Sequence, residues 1–283
     1  MNPLRARLAT IAAAGKLGWA MESNWADPFL FAVYFLVRPI ATTLILVVMY
    51  KVVTDGRTGT PFFAALYIGN AFFQYVGQVL FGVSSAVQED REHYQMLKYI
   101  WSAPVSTLDY LIGRGLTKMA TGTVAVLVTL AFGWVFLGVS FDAGVVRPLL
   151  ALAALALGLA LLVFLGLAFA GIELNRTHGQ APLQEGAAGV LYLCSGAIFP
   201  PEVMPGPLAA LCYALPTTWW IEALRRALLG HGWCGALSNW SDGAILGVLA
   251  LQVTLFAAPC VWLYKVLDRR ARRKNLIDWT TGF

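Results

Sequence analysis

Three amides, Asn70, Gln74 and Gln78, recur at every fourth position of an otherwise apolar run, which places them on one face of a helix. An amide both donates and accepts, so in an apolar medium it needs a partner or a wet cavity. Two uses fit the spacing. The amides join packed helices, at roughly 0.6 kcal/mol or somewhat more per contact, or they line a path for a passing molecule. Arg38, followed by Pro39, sits inside another apolar run. It reaches the nearer surface, pairs with a carboxylate such as Glu173 or Glu185, or touches a substrate. Glu222 and Arg226 stand four apart with the acid first, the favourable order for an ion pair on a helix. That pair suits holding a local structure better than chemistry.

Enzymatic constellations are thin. The chain has no G-x-x-x-x-G-K-[ST], H-E-x-x-H or G-x-S-x-G stretch. His93, His178 and His231 fall in different loops, and Cys194, Cys212, Cys234 and Cys260 lack metal-ligand spacing. Cys212 and Cys234 share one side of the membrane in the topology below, which leaves a disulfide open without the spacing supporting one. No nucleotide-binding motif is visible, so energy for any pumping must come from elsewhere. The most polar long stretch of the first half is "VQEDREHYQMLKYIWSAP", residues Val87 to Pro104. Its Tyr94, Leu97, Lys98 and Trp101 recur at i, i+3, i+4 and i+7, an amphipathic face for a membrane or a partner. One ordered helix from Asp90 to Trp101 is expected.

These side chains need elements to hold them. Of 283 residues, 59% are hydrophobic and 12% charged, about half the charged fraction of a soluble domain. A mean hydropathy of +0.68 sends such a chain to a bilayer. The net charge of +5 is clustered and gives nucleic-acid binding little support. Six spans are expected, at about 31–52, 62–86, 119–139, 148–171, 181–200 and 243–267. Each of the others has about twenty or more residues, enough to cross about 30 Å of hydrocarbon. The fifth is less tidy, starting near Ala181 and stopping at Pro200 and Pro201. Before the first span, residues 1–26 read as a helix lying in the interface, with Leu4, Leu8, Ile11 and Trp19 near one face. Between the last two spans, residues 203–230 read as two short outer helices parted by Pro216, with Thr217 or Thr218 as N-cap, or as one amphipathic surface helix.

Lysine and arginine set the orientation. With the N-terminus inside, inner segments hold fourteen of them and outer segments five, with Arg38 within a span. Both termini and residues 87–104 are therefore expected on the cytoplasmic side. The basic tail, 268–283, fixes the last helix at its inner end.

This order of elements resembles the ABC-2 type permease family over nearly the whole chain, 1–283 read as one transmembrane domain. The resemblance rests on "LKYIWSAPVSTLDYLIGR" (97–114) and "LPTTWWIEALRRALLG" (215–230), together with the topology. Ala103, Pro104, Val105 and Ser106 fit the end of a family segment, and Glu89, Asp90 and Glu92 its acidic start. Gln95 and Met96 stand at its usual Gly-Thr positions, and Lys98 where an acidic residue is common. The resemblance implies an all-α polytopic permease of a prokaryotic inner membrane that dimerises, binds no cofactor itself, and works with a cytoplasmic ATPase carrying ATP and Mg. It also implies export of an amphiphile, whether drug, lipid or lipid-linked glycan. Asp90, Glu92, Tyr94, Leu97, Lys98 and Trp101 would form the coupling helix seated on that ATPase. Asn70, Gln74, Gln78 and Phe73 would border the substrate path, among aromatics that suit an amphiphile better than a small ion. Arg38, Pro104, Pro216, Glu222 and Arg226 would serve structure or gating. The competing classes are a membrane-embedded enzyme acting on a lipid-linked substrate, and a channel or scaffold.

Overall fold

A computed structural model describes residues 3–23, 28–54, 60–139, 142, 144–176 and 181–276. Arg57, His178, the ends of the expected tail and of the first segment, and the 24–27 link lie outside the described residues. Every described regular element is helical. Eleven α-helices follow in order: α1 Pro3–Ser23, α2 Pro28–Val53, α3 Pro61–Tyr75, α4 Gly82–Gln88, α5 Leu97–Ser102 and α6 Thr107–Phe136, then α7 Pro148–Leu174, α8 Ala181–Cys194, α9 Gly206–Ala214, α10 Pro216–Leu229 and α11 Asp242–Arg273. Thr60, Ser106 and Ser241 each cap the helix that follows by accepting a backbone N–H with the side-chain hydroxyl.

The chain is an all-α polytopic membrane protein. Among the described residues four stretches are long and apolar enough to cross a bilayer: Phe35–Val53 in α2, α6, α7 and α11. The second and fifth expected crossings are built of shorter pieces. Residues 61–93 run as one helical path, but a π-helical turn at Val76–Phe81 separates α3 from α4, and another at Glu89–His93 ends the path. The helix α8 stops at Cys194, before the prolines.

α7 is apolar on all sides, as a helix with one face on its neighbours and the other open to lipid must be. It packs on α11, α4, α10 and the first π turn. Small residues let these backbones approach, since helices in lipid gain from close packing rather than from escaping water. At Gly158 a Cβ would lie 2.0 Å from the Trp220 indole nitrogen, so only glycine lets α10 seat that ring against α7. The end of the bundle where α7 and α11 begin is stitched by Arg147, which pairs with Asp242 and donates its backbone N–H to Ala227 O at 2.8 Å.

The outer hairpin is two helices, α9 and α10. The expected N-cap at Thr217 or Thr218 is wrong. Pro216 takes the first helical position, where its missing N–H costs nothing, which leaves Leu215 as the cap residue. Thr218 instead donates its hydroxyl to the carbonyls of Cys194 (2.9 Å) and Cys212 (2.6 Å), tying α8 to α9. All four cysteines are free thiols, Cys212 and Cys234 included.

Candidate functional site

The charged stretch after α4 is not one helix from Asp90 to Trp101. In the π turn Tyr94 N–H reaches back to Glu89 O at 2.9 Å, and Met96 N–H then returns to Asp90 O at 2.8 Å. Gln95 between them adopts φ 50°, the left-handed conformation that closes a helix end. The chain restarts as α5, so the expected amphipathic face is divided. Leu97 and Trp101 are buried among α1, α6, α7 and α11 side chains, whereas Lys98 is exposed and Tyr94 is 41% exposed. Tyr99, which sequence reasoning passed over, is 67% exposed and extends the same outward surface. Glu92 is partly buried and bonded to Arg91 Nη2 at 3.2 Å.

Behind that surface lies a buried polar cluster. Asp90 is fully buried, so it is a positioning residue and does not itself face a partner. Tyr110 of α6 donates its hydroxyl to Asp90 at 2.6 Å, and Arg114, also of α6, stands 3.5 Å from the other carboxylate oxygen. Arg114 further pairs with Glu89 at 2.9 Å, and Lys118 with Glu89 at 3.6 Å and with Glu22 of α1. The buried Arg91 donates to the carbonyls of Glu173 (3.3 Å) and Arg176 (3.2 Å), placing a cation at the end of α7 where the helix dipole is negative. Trp101 donates its indole N–H to Asp268 of α11 at 2.7 Å, and Arg272 returns a bond to Trp101 O at 3.3 Å. The exposed segment is thereby fastened to α6, α7 and α11 together.

α1 completes the site. Arg7 grips Asp109 of α6 through two bonds at 2.9 and 3.0 Å, and Thr117 donates to Gly15 O at 2.8 Å. Contact is closest at Gly113, where a Cβ would lie 2.4 Å from Ile11 O and 2.6 Å from the Ala14 Cβ. Leu4, Leu8 and Trp19 remain exposed along α1, the stripe an interface-lying helix turns toward lipid.

Burial pushes the Asp90 carboxyl above the usual range, with Arg114 and the Tyr110 hydroxyl pulling partly back. A carboxyl whose folded pKa is raised binds its proton more tightly in the folded chain, so its contribution to stability falls as pH climbs from the ordinary Asp range upward. Asp90→Asn removes that slope. The melting temperature of the variant relative to the unmutated protein should therefore rise between about pH 4 and pH 7 in detergent. A difference that stays flat, or falls, over that interval would refute the assignment.

The remaining predicted residues separate by role. Asn70 accepts the Tyr192 hydroxyl of α8 at 2.6 Å, and Gln74 donates to Thr43 of α2 (3.2 Å) and Thr129 of α6 (2.9 Å). Those two amides join helices. Gln78 lies within the first π turn, half-buried, beside the exposed Gly77, and Phe73 packs on Tyr192 with ring centres 4.6 Å apart. Arg38 is on an exposed face of α2, while the suggested partner Glu173 is buried and bonded by Gln184 of α8 at 3.4 Å. Pro104 is in the exposed link from α5 to α6. Glu222 does meet Arg226, at 3.5 Å, and also accepts the backbone N–H groups of Trp233 (3.1 Å) and Cys234 (3.4 Å). Sequence reasoning missed its neighbour Arg225. That guanidinium is buried, donates to Ala65 O, Gly196 O and Ala197 O at 2.7–3.0 Å, and stacks on Trp233. The adjacent arginines in an apolar setting were the available signal. Among the described residues no group of three or more side chains is placed to hold a metal ion.

The family model described as ABC-2 type transporter matches residues 18–229. No curated protein matches the chain.

Proposed function

The chain belongs to the ABC-2 type transporter family, and from that premise we propose that it is the permease subunit of an ATP-driven exporter, acting as a homodimer with one cytoplasmic ATPase per protomer. Membrane transport is the family's general role; the energy source, cargo class and pairing are the proposal. The observation that carries it is the joined character of the inner site. Tyr94, Lys98 and Tyr99 face outward, and directly behind them Trp101, Asp90 and Arg91 are bonded to α11, α6 and α7. A subunit pressing on this surface would move three long helices at once. Two ATPase subunits drawn together by ATP and Mg would supply that push, and the two permease copies would alternate between inward and outward openings. The charge bias supports a cytoplasmic position for this surface, where ATP is. The apolar middle of the bundle, with Asn70 and Gln74 occupied by other helices, suits an amphiphilic cargo such as a drug, lipid or lipid-linked glycan.

Purification in mild detergent from the native membrane tests the reading. A stoichiometric ATPase should accompany the chain, and its hydrolysis should respond to amphiphiles. Consistent purification without such a subunit, and no stimulated hydrolysis on co-expression with candidate ATPases, would refute it.

A further inference from the structure

The hydrogen bonds that tie α8 to the bundle lie near its ends, while Ala187, Ala188 and Leu191 pack on the core between them. Gln184 donates to Ser84 of α4 at 3.2 Å, Tyr192 bonds Asn70 of α3, and Thr218 bonds the carbonyl of Cys194. Between these ties α8 stands away from α7 and α11, leaving a cavity of about 420 Å³. That size falls within the range of small-molecule sites. Leu183, Gly186, Val190 and Leu191 form one wall, while Leu165 and Phe169 of α7 and Phe256 of α11 form the other. Leu183 and Leu191 are eight residues apart in one helix, so the cavity is drawn out over about 12 Å at 1.5 Å per residue.

Among the described residues none lining the cavity is ionisable, and the one polar side chain of that lining stands at an end. There Leu215, Pro216 and Thr217 open α10, whose first backbone N–H groups carry the positive end of the helix dipole. Thr217 is fully buried and its hydroxyl has no hydrogen-bond partner. An unpaired hydroxyl buried away from water is costly, and a turn about χ1 would bring it to a ligand oxygen in the cavity. We propose that this cavity binds an uncharged single-tailed amphiphile, with its tail along α8 between Leu183 and Leu191 and one acceptor oxygen at Thr217. The class follows from the wall. A charge would find no counter-ion there, and a headgroup with several polar atoms would leave all but one unpaired.

The test uses the full chain in lipid nanodiscs with two photoactivatable probes of equal length, a hexadecanol and a hexadecane, and peptide mapping of the label. Both should label the 183–191 segment. Gly186→Leu fills the cavity from a position where a Cβ meets no atom within 4 Å, so it should fold normally and lower both labels by about tenfold. Thr217→Val should lower the alcohol label about threefold to tenfold and leave the hydrocarbon label unchanged. Labelling of 183–191 that Gly186→Leu does not reduce would overturn the site. Equal sensitivity of both probes to Thr217→Val would overturn the polar contact. The same chemistry comes from a resident lipid or from cargo. In the ATPase complex, alcohol label that persists through ATP turnover identifies a lipid, and label that is chased identifies cargo. Only this last arm rests on the exporter reading, so failure of that reading leaves the labelling results standing.

Discussion

Arg114→Met should destabilise the protein by about 3–5 kcal/mol, because it leaves Asp90 and its charge buried without a compensating cation. The side-chain stem is retained, so the loss reflects electrostatics more than packing. Combining it with Asp90→Asn should recover most of that loss, since the stranded charge is removed along with its partner and the Tyr110 hydroxyl keeps an acceptor. Denaturation in detergent micelles followed by circular dichroism measures all three variants. An Arg114→Met protein within about 1 kcal/mol of the parent would mean that water or Lys118 already compensates the Asp90 charge, and that Arg114 does not hold the segment as argued.

The second large effect is functional. Tyr94→Ala with Tyr99→Ala should reduce transport by about tenfold or more, on the scale of losing aromatic anchors from the centre of an interface. Both rings are exposed and take no part in the buried cluster, so insertion and melting temperature should stay near the parent's. ATP hydrolysis should persist but cease to follow substrate. Transport at the parent rate in the double variant would remove this surface from the coupling path. Glu92, half-buried against Arg91, should give a smaller effect than the tyrosines.

The four long apolar helices were plain in the sequence because hydropathy over twenty residues is all that defines them, and α7 and α11 begin where the spans from 148 and 243 were expected. α6 begins at Thr107 behind its Ser106 cap, twelve residues before the expected 119, because its first turns carry Asp109, Arg114 and Lys118 and do not read as membrane span. The π turns were not legible. Val76–Phe81 differs from an α-helix only in which carbonyl each N–H reaches, and its side chains read as ordinary membrane helix. The break at Gln95 is an instructive middle case. The resembled family places glycine there, and φ 50° is a conformation glycine adopts freely. Glutamine at that position made a continuous helix the natural expectation, although the backbone keeps the turn. The inner site was half visible. Charge and periodicity located residues 87–104, but which members face inward depends on Arg114, Tyr110 and Asp268, distant in sequence and matched only by folding. The outer pair Glu222–Arg226 followed directly from i, i+4 spacing.

The tight seam between α1 and α6 has a mechanical consequence. With Gly113 pressed against Ile11 and Ala14, and Arg7 and Lys118 clamping acids across the two helices, the pair has no slack in which one could slide without the other. They form a single stiff beam. α6 has 30 residues and so spans about 45 Å, from the interface helix to the opposite surface. A rotation of about 5° at one end of such a beam displaces its far end by about 4 Å, about three quarters of the height of a helical turn. Small motion of the N-terminal helix at one surface is thus geometrically magnified into a displacement of several ångströms at the other.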